Sequence, residues 1–139
     1  MRIKDARQIF LGIWIRRILE GRAFEVWGGQ QRRDFTFVDD AADAFIAAAL
    51  TPDTVGKVLN VGGSEVVTLE RMARMLVEQS GGTFEMRDFP LERKLIDIGD
   101  YYTDDKAFRS STGWSPRVSL ESGLARTVAF YRDQSRHYL

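Results

Sequence analysis

The chain has no cysteine among its 139 residues, which excludes disulfide scaffolds, thiolate zinc sites and cysteine nucleophiles. Its single histidine, His137, stands near the last residue with no partner at metal-ligand or triad spacing, and is assigned no role. Charge of one sign is lacking too, since twenty basic residues balance twenty acidic ones at an isoelectric point near 6.6. Such a chain projects no long-range field to hold a nucleic-acid backbone or an anionic membrane. No run reaches the roughly 20 apolar residues that a bilayer-crossing helix needs. The apolar stretch from Ile9 to Ile15 follows Arg2, Lys4 and Arg7 but is cut short by Arg16 and Arg17, with no small-residue cleavage site. It reads as an amphipathic helix rather than a secretory signal. With 44% apolar residues the chain can build one globular core, and a cytoplasmic location fits.

Periodicity then divides the chain. Phe10, Ile13, Trp14 and Ile18 predict a helix over Asp5 to Glu20, with Gly21 as its stop. Phe24 to Trp27 reads as a short strand ended by Gly28-Gly29, and Arg33 to Phe37 as a second one. A helix follows from Val38 to about Leu50, with Val38, Ala41, Ala42, Phe45 and Ala49 as its apolar face. The compact run Lys57 to Val61 is expected to be a buried strand reached by that crossover helix, which implies a parallel sheet. Thr68 is placed to cap a helix carrying Leu69, Met72, Ala73 and Leu76, closed by Gly81-Gly82. Thr83 to Phe89 alternates like a strand, and Leu91 to Asp100 reads as a charged loop holding Arg93, Lys94 and Asp97. Asp104 opens a short helix that Gly113 stops. Ser119 offers an N-cap to a last helix with Leu120, Leu124, Val128 and Tyr131 on one stripe.

The chemistry gathers around Gln31 to Asp40, where a basic pair runs through an aromatic strand into an acidic helix start. Asp39, Asp40 and Asp43 suit the N–H groups and the dipole of a first helical turn, which explains them without a metal. Arg33 at the mouth of the strand could grip a phosphate with its planar guanidinium. Spacing alone favours a plainer surface pair with Asp34. No glycine-rich turn of the kind that cradles a dinucleotide pyrophosphate is present, since Gly28-Gly29, Gly62-Gly63 and Gly81-Gly82 all lack its spacing.

Arg33-Asp34-Phe35-Thr36-Phe37-Val38-Asp39-Asp40, followed in order by Leu59-Asn60-Val61-Gly62-Gly63, Gly113-Trp114-Ser115-Pro116 and Ser119-Leu120-Glu121-Ser122-Gly123-Leu124, resembles the extended short-chain dehydrogenase/reductase family, the NAD-dependent nucleotide-sugar epimerases and dehydratases. The resemblance covers nearly the whole chain. It implies an α/β fold: the C-terminal, substrate-binding portion of an extended Rossmann-type enzyme, over residues 1–139, with the last helix and strand of the parallel coenzyme sheet. The N-terminal dinucleotide-binding portion, with its glycine turn and its tyrosine and lysine, is then expected to be missing, so NAD belongs to the parent enzyme and no coenzyme is expected on this chain alone. Tyr102 and Lys106 match the tyrosine and lysine spacing by accident, because they straddle a helix start, and Tyr101 and Tyr102 are expected to be packing residues.

The resemblance also implies site residues. Trp27, whose commoner fate is core packing, would flank the nucleobase, with the backbone of Glu25 and Val26 near its edge. Arg33 would contact the diphosphate of a nucleotide sugar. A second basic residue is expected to join it a short step before a Gly-Asp or similar pair, and Arg93 and Lys94 both stand near that place. No catalytic residue and no metal ligand is assigned. A non-catalytic binding or assembly module on the same scaffold is the alternative. Without sheet neighbours, Val58, Leu59, Val61 and the apolar helix face would be exposed, so the isolated chain is expected to self-associate there.

Overall fold

The computed structural model describes residues 10–90, 94 and 97–138. Its elements in chain order are α1 (Phe10–Leu19), β1 (Phe24–Trp27), β2 (Arg32–Asp34), α2 (Val38–Leu50), a 3-10 turn (Pro52–Thr54), β3 (Val66–Thr68), α3 (Leu69–Ser80), β4 (Phe84–Arg87), α4 (Lys106–Thr112), α5 (Leu120–Asp133) and α6 (Ser135–Tyr138). The fold is α/β. Two compact units divide it, one of residues 1–30, 68–97 and 124–139, the other of 31–67 and 98–123.

In the first unit β1 and β4 pair in parallel, Phe24 opposite Phe84 and Trp27 opposite Arg87. Parallel strands need a crossover, and α3 leads into β4. Thr68 caps α3 as expected, its hydroxyl accepting from the Arg71 N–H at 3.2 Å, while the Glu70 N–H donates to Gly29 O at 2.9 Å. Gly81 ends the helix at φ +75°, a conformation that favours glycine. The core joins Trp14, Ile15 and Ile18 of α1 to Phe24 and Val26 of β1 and to Met72, Ala73 and Leu76 of α3, all buried. Trp14 stacks on Phe24 at 5.0 Å, and its indole N–H donates to the Glu25 carbonyl at 3.0 Å, so this buried ring keeps its polar edge satisfied. The stripe read on α5 contributes Leu124, Val128 and Tyr131, also buried.

The second unit differs more from expectation. Its strand β2 pairs with β3 and makes one parallel bridge, Arg33 to Tyr101, but it spans Arg32–Asp34 and not Arg33 to Phe37. Gly63 lies so close to the Phe35 backbone that a Cβ there would stand 2.1 Å from its carbonyl oxygen, and this contact takes the place of a ladder. Residues 57–61 form no strand. Their run of apolar side chains signals burial, but a ladder also needs a neighbouring strand, and none pairs with them among the described residues. Leu59 and Val61 instead pack part-buried against Ala44, Phe108 and Trp114, while Val58 is 99% exposed.

Helix α2 has the expected bounds but turns another face inward. Asp40 and Ala44 are buried, Ala47 and Ala48 partly so, whereas Val38 and Phe45 of the predicted face are exposed. The helix is apolar nearly all round, so periodicity cannot select a side, and small alanines allow close approach to Phe108 and Trp114. Nor does Asp40 cap its own helix. It is 3% exposed, and its two carboxylate oxygens accept the N–H groups of Arg117 at 3.0 Å and Val118 at 2.9 Å.

Asp40→Ala leaves those two part-buried hydrogen bonds without their acceptor, at a cost of up to about 1–3 kcal/mol for each. Urea unfolding is expected to show a loss of about 3 kcal/mol for this variant, against roughly 0.5 kcal/mol or less for Asp43→Ala at an exposed position of the same helix.

Candidate functional site

The stretch that carries the chemistry is strand β2 and the segment bonded to it in the second unit. The Tyr101 N–H donates to Arg32 O at 3.0 Å. Asp100 holds Arg32 at two points, accepting its backbone N–H at Oδ1 and its Nε–H at Oδ2, both at 2.8 Å. The Arg32 guanidinium also lies 5.3 Å from the centroid of the Tyr102 ring, within cation–π range. Tyr101 and Tyr102 are therefore exposed groups of this segment and not packing residues. Their neighbour Gly99 has φ +65°.

Arg33 is half-buried and does not pair with Asp34. Its Nη1 donates to two carbonyl oxygens, those of Arg32 at 2.8 Å and Gly99 at 2.5 Å. Asp34 instead accepts the Gly63 N–H at 3.1 Å. Among the described residues no carboxylate forms an ion pair with Arg33. Its guanidinium is thus hydrogen-bonded by neutral oxygens alone, with the Asp100 carboxylate near enough to feel its charge without bonding to it, which leaves it able to take an anion. The nearby carboxylate is committed elsewhere: the backbone N–H of Arg32 first, and then its guanidinium, hold the Asp100 carboxyl below the usual range.

The other candidate residues lie in the first unit. Trp27 is half-buried at the end of β1, its indole N–H donating to the Glu25 carboxylate at 3.1 Å and its ring meeting Phe89 edge-on at 6.3 Å. The backbone expected to meet a base edge is partly engaged, since Glu25 O accepts from Trp14 and Val26 is buried in the strand pair. Lys94 is exposed, and its backbone N–H donates to Pro90 O at 2.9 Å. Arg93 lies outside the described residues. Sequence reasoning passed over Gly99 and Asp100, taking them as the end of a charged loop. The Gly-Asp dipeptide itself was the available signal, but its partners Arg32 and Arg33 lie more than sixty residues earlier.

An α/β chain with a small parallel strand pair is the architecture of part of an extended Rossmann-type dehydrogenase/reductase. Residues 3–62 match the model of the NAD dependent epimerase/dehydratase family. The UDP-glucose 4-epimerase of Mycolicibacterium smegmatis is 34% identical over 127 residues, covering 91% of this chain and 40% of that protein. The dTDP-glucose 4,6-dehydratase of Streptomyces niveus is 31% identical over 117 residues, covering 84% of this chain and 34% of that protein. Among solved structures, a UDP-glucose 4-epimerase from Thermotoga maritima, determined with UDP-glucose, superposes with a TM-score of 0.81 at 27% identity over 95% of this chain and 42% of that one. The chain thus spans between about a third and two-fifths of the length of these relatives.

None of the glycine pairs fits the pyrophosphate of a dinucleotide. Such a cradle lies between the end of a strand and the start of a helix, with open space above its glycines. Gly28-Gly29 leads from β1 into β2, and a Cβ on Gly29 would meet Met86 at 2.5 Å. Gly63 is filled by the Phe35 backbone, and Gly81-Gly82 follows the C-terminus of α3, the wrong end for an anion. Among the described residues no helix is long and apolar enough to cross a membrane.

The lowered Asp100 carboxyl has a consequence for pH. A carboxyl depressed on folding contributes stability above its unfolded value, and that contribution is lost as pH falls through the lower folded value. The bond to Arg32 is therefore expected to survive mild acid. A carbon-13 titration of the Asp100 carboxyl should reach its midpoint below that of a solvated aspartate, and Arg32→Ala, which removes the guanidinium but keeps the backbone N–H, should raise it only in part.

Proposed function

We propose that this chain is the substrate-binding part of an NAD-dependent nucleotide-sugar epimerase or dehydratase, and that it grips the nucleotide diphosphate. The observation that carries this reading is the half-buried guanidinium of Arg33, anchored by two carbonyl oxygens and paired with no carboxylate among the described residues. On this reading Arg33 neutralises part of the diphosphate, Lys94 or Arg93 supplies the second cation, and Trp27 flanks the base. NAD is held by residues of the parent enzyme other than those described, and the sugar chemistry takes place there. The base, the sugar and the outcome at the sugar carbon are left open, since the relatives include both epimerases and dehydratases.

A charge-assisted bidentate contact contributes about 1.5–3 kcal/mol. Calorimetric titration with UDP, dTDP and GDP should find one that binds, and Arg33→Ala should weaken it by that amount while the protein stays folded. Arg93→Ala and Lys94→Ala, titrated separately, identify the second contact. Base stacking on an aromatic ring contributes roughly 1–3 kcal/mol, so Trp27→Leu should lower affinity well beyond its effect on melting temperature. Unchanged affinity in Arg33→Ala would remove Arg33 from the site, and a large stability loss with affinity kept would return Trp27 to packing.

The isolated chain, on the same reading, self-associates. Phe45, Leu50, Val55 and Val58 are between 78% and 99% exposed, and beside them a recess of about 370 Å³ is lined by Ala41, Phe45, Ala48, Leu59 and Val61, with Lys57 among its polar lining groups. An apolar surface of this kind favours burial against another. With residues 57–61 outside any ladder, the contact runs through side chains of α2 and not through strand pairing. Light scattering over a dilution series should show dimers or larger species that dissociate on dilution and on Phe45→Glu. A monomer at every concentration rules this out.

A further inference from the structure

We propose that Gly99 and Asp100 are positioning residues which orient the Arg33 guanidinium so that only its Nε/Nη2 edge can take an oxyanion. This deepens the diphosphate reading and rests on it. A guanidinium can fork an anion end-on, through its two Nη groups, or side-on, through Nε and one Nη. In this chain Nη1 already donates to Arg32 O and Gly99 O. The Arg33 side chain makes no other hydrogen bond among the described residues, so Nε and Nη2 remain. The end-on fork is closed and the side-on fork is open.

What keeps it so is the attachment of the 98–101 segment to β2. Asp100 fastens Arg32 by its backbone N–H and its Nε–H, and the Tyr101 N–H donates to Arg32 O. With both neighbours tied down, the Gly99 carbonyl is held against Nη1. Gly99 itself has φ +65°, with no atom within 4 Å of where a Cβ would lie. The glycine is required there by backbone conformation and not by crowding. Asp100 hydrogen-bonds Arg32 and not Arg33, although its charge is felt by both guanidinium groups; the hydrogen bonds that orient Arg33 come from the two carbonyl oxygens.

The test is nitrogen-15 NMR of arginine side chains in the full chain, free and with UDP, dTDP, GDP or inorganic pyrophosphate added. In the free protein the Arg33 guanidinium should rotate slowly, with its two Nη groups resolved. Asp100→Ala should collapse them to an average, Asp100→Asn, which keeps an acceptor for the Arg32 N–H, should do so only in part, and Gly99→Ala should shift Nη1 alone. On binding, the Nε–H resonance of Arg33 should move most, and Asp100→Ala should weaken affinity roughly tenfold, non-additively with Arg33→Ala as coupled neighbours require. Fast rotation in the wild-type chain, a response confined to the Nη groups, or additive losses in the double variant would each overturn the proposal. If no probe binds the wild-type chain, the diphosphate reading fails and the side-on contact with it. The rotation measurement still decides whether Asp100 orients Arg33. Should Asp100→Ala not fold, Asp100→Asn carries the same comparison.

Discussion

The arrangement of residues 31–67 and 98–123 depends on one kind of interaction made by three side chains, a carboxylate accepting the backbone N–H of a residue far away in the chain. Asp34 takes that of Gly63, Asp40 takes those of Arg117 and Val118, and Asp100 takes that of Arg32. This unit has little sheet and a small buried cluster of Ala44, Phe108 and Trp114. A ladder satisfies backbone groups in regular pairs, whereas irregular segments leave single donors that must be met one by one. Ionised carboxylates meet them with bonds stronger than neutral acceptors give. Asp34 and Asp40 of the 31–40 stretch are therefore structural, while its second arginine keeps donors to spare.

The first unit is held differently. Its ring stack of Trp14, Phe24 and Phe84, with centroids 5.0 and 5.7 Å apart, lies among buried Ile15, Met72 and Leu76. Burial of each such side chain contributes about 1.5–3 kcal/mol, so this core tolerates polar change at its rim. Trp27 and Phe89 stand at that rim, beyond the stack, and Trp27 keeps its indole N–H on a surface carboxylate. A ring in this position can change partner without disturbing the core beneath it.

Elements fixed by local chemistry were legible in the sequence. The bounds of α2, the Thr68 cap on α3, the Gly113 stop and the Ser119 hydroxyl accepting from the Ser122 N–H at 3.2 Å each involve residues within one turn of each other. What could not be read depends on a distant second partner. An apolar run at 57–61 signals burial but not which strand, if any, lies beside it, and an alanine-rich helix gives no preference between its faces. The role of Gly99-Asp100 was hidden for the same reason, because a Gly-Asp dipeptide acquires meaning only beside Arg32 and Arg33.

Why two adjacent arginines serve two purposes follows from the alternation of a strand. Successive side chains leave a strand on opposite faces, and Arg32 and Arg33 make different hydrogen bonds. Arg32 meets Asp100, which consumes its charge in an exposed pair of small energetic worth but fixes where the 98–101 segment lies. Arg33, on the other face, meets only the carbonyl oxygens of Arg32 and Gly99. Dipoles orient a guanidinium without cancelling its charge, and half-burial lowers the dielectric through which an incoming anion is attracted. A lysine would not be held in this way, since a point charge on a flexible stem has no edge to orient. The chain has no net charge and still keeps an oriented cation at Arg33, because Asp34, Asp40 and Asp100 are engaged by backbone N–H groups and by the neighbouring arginine.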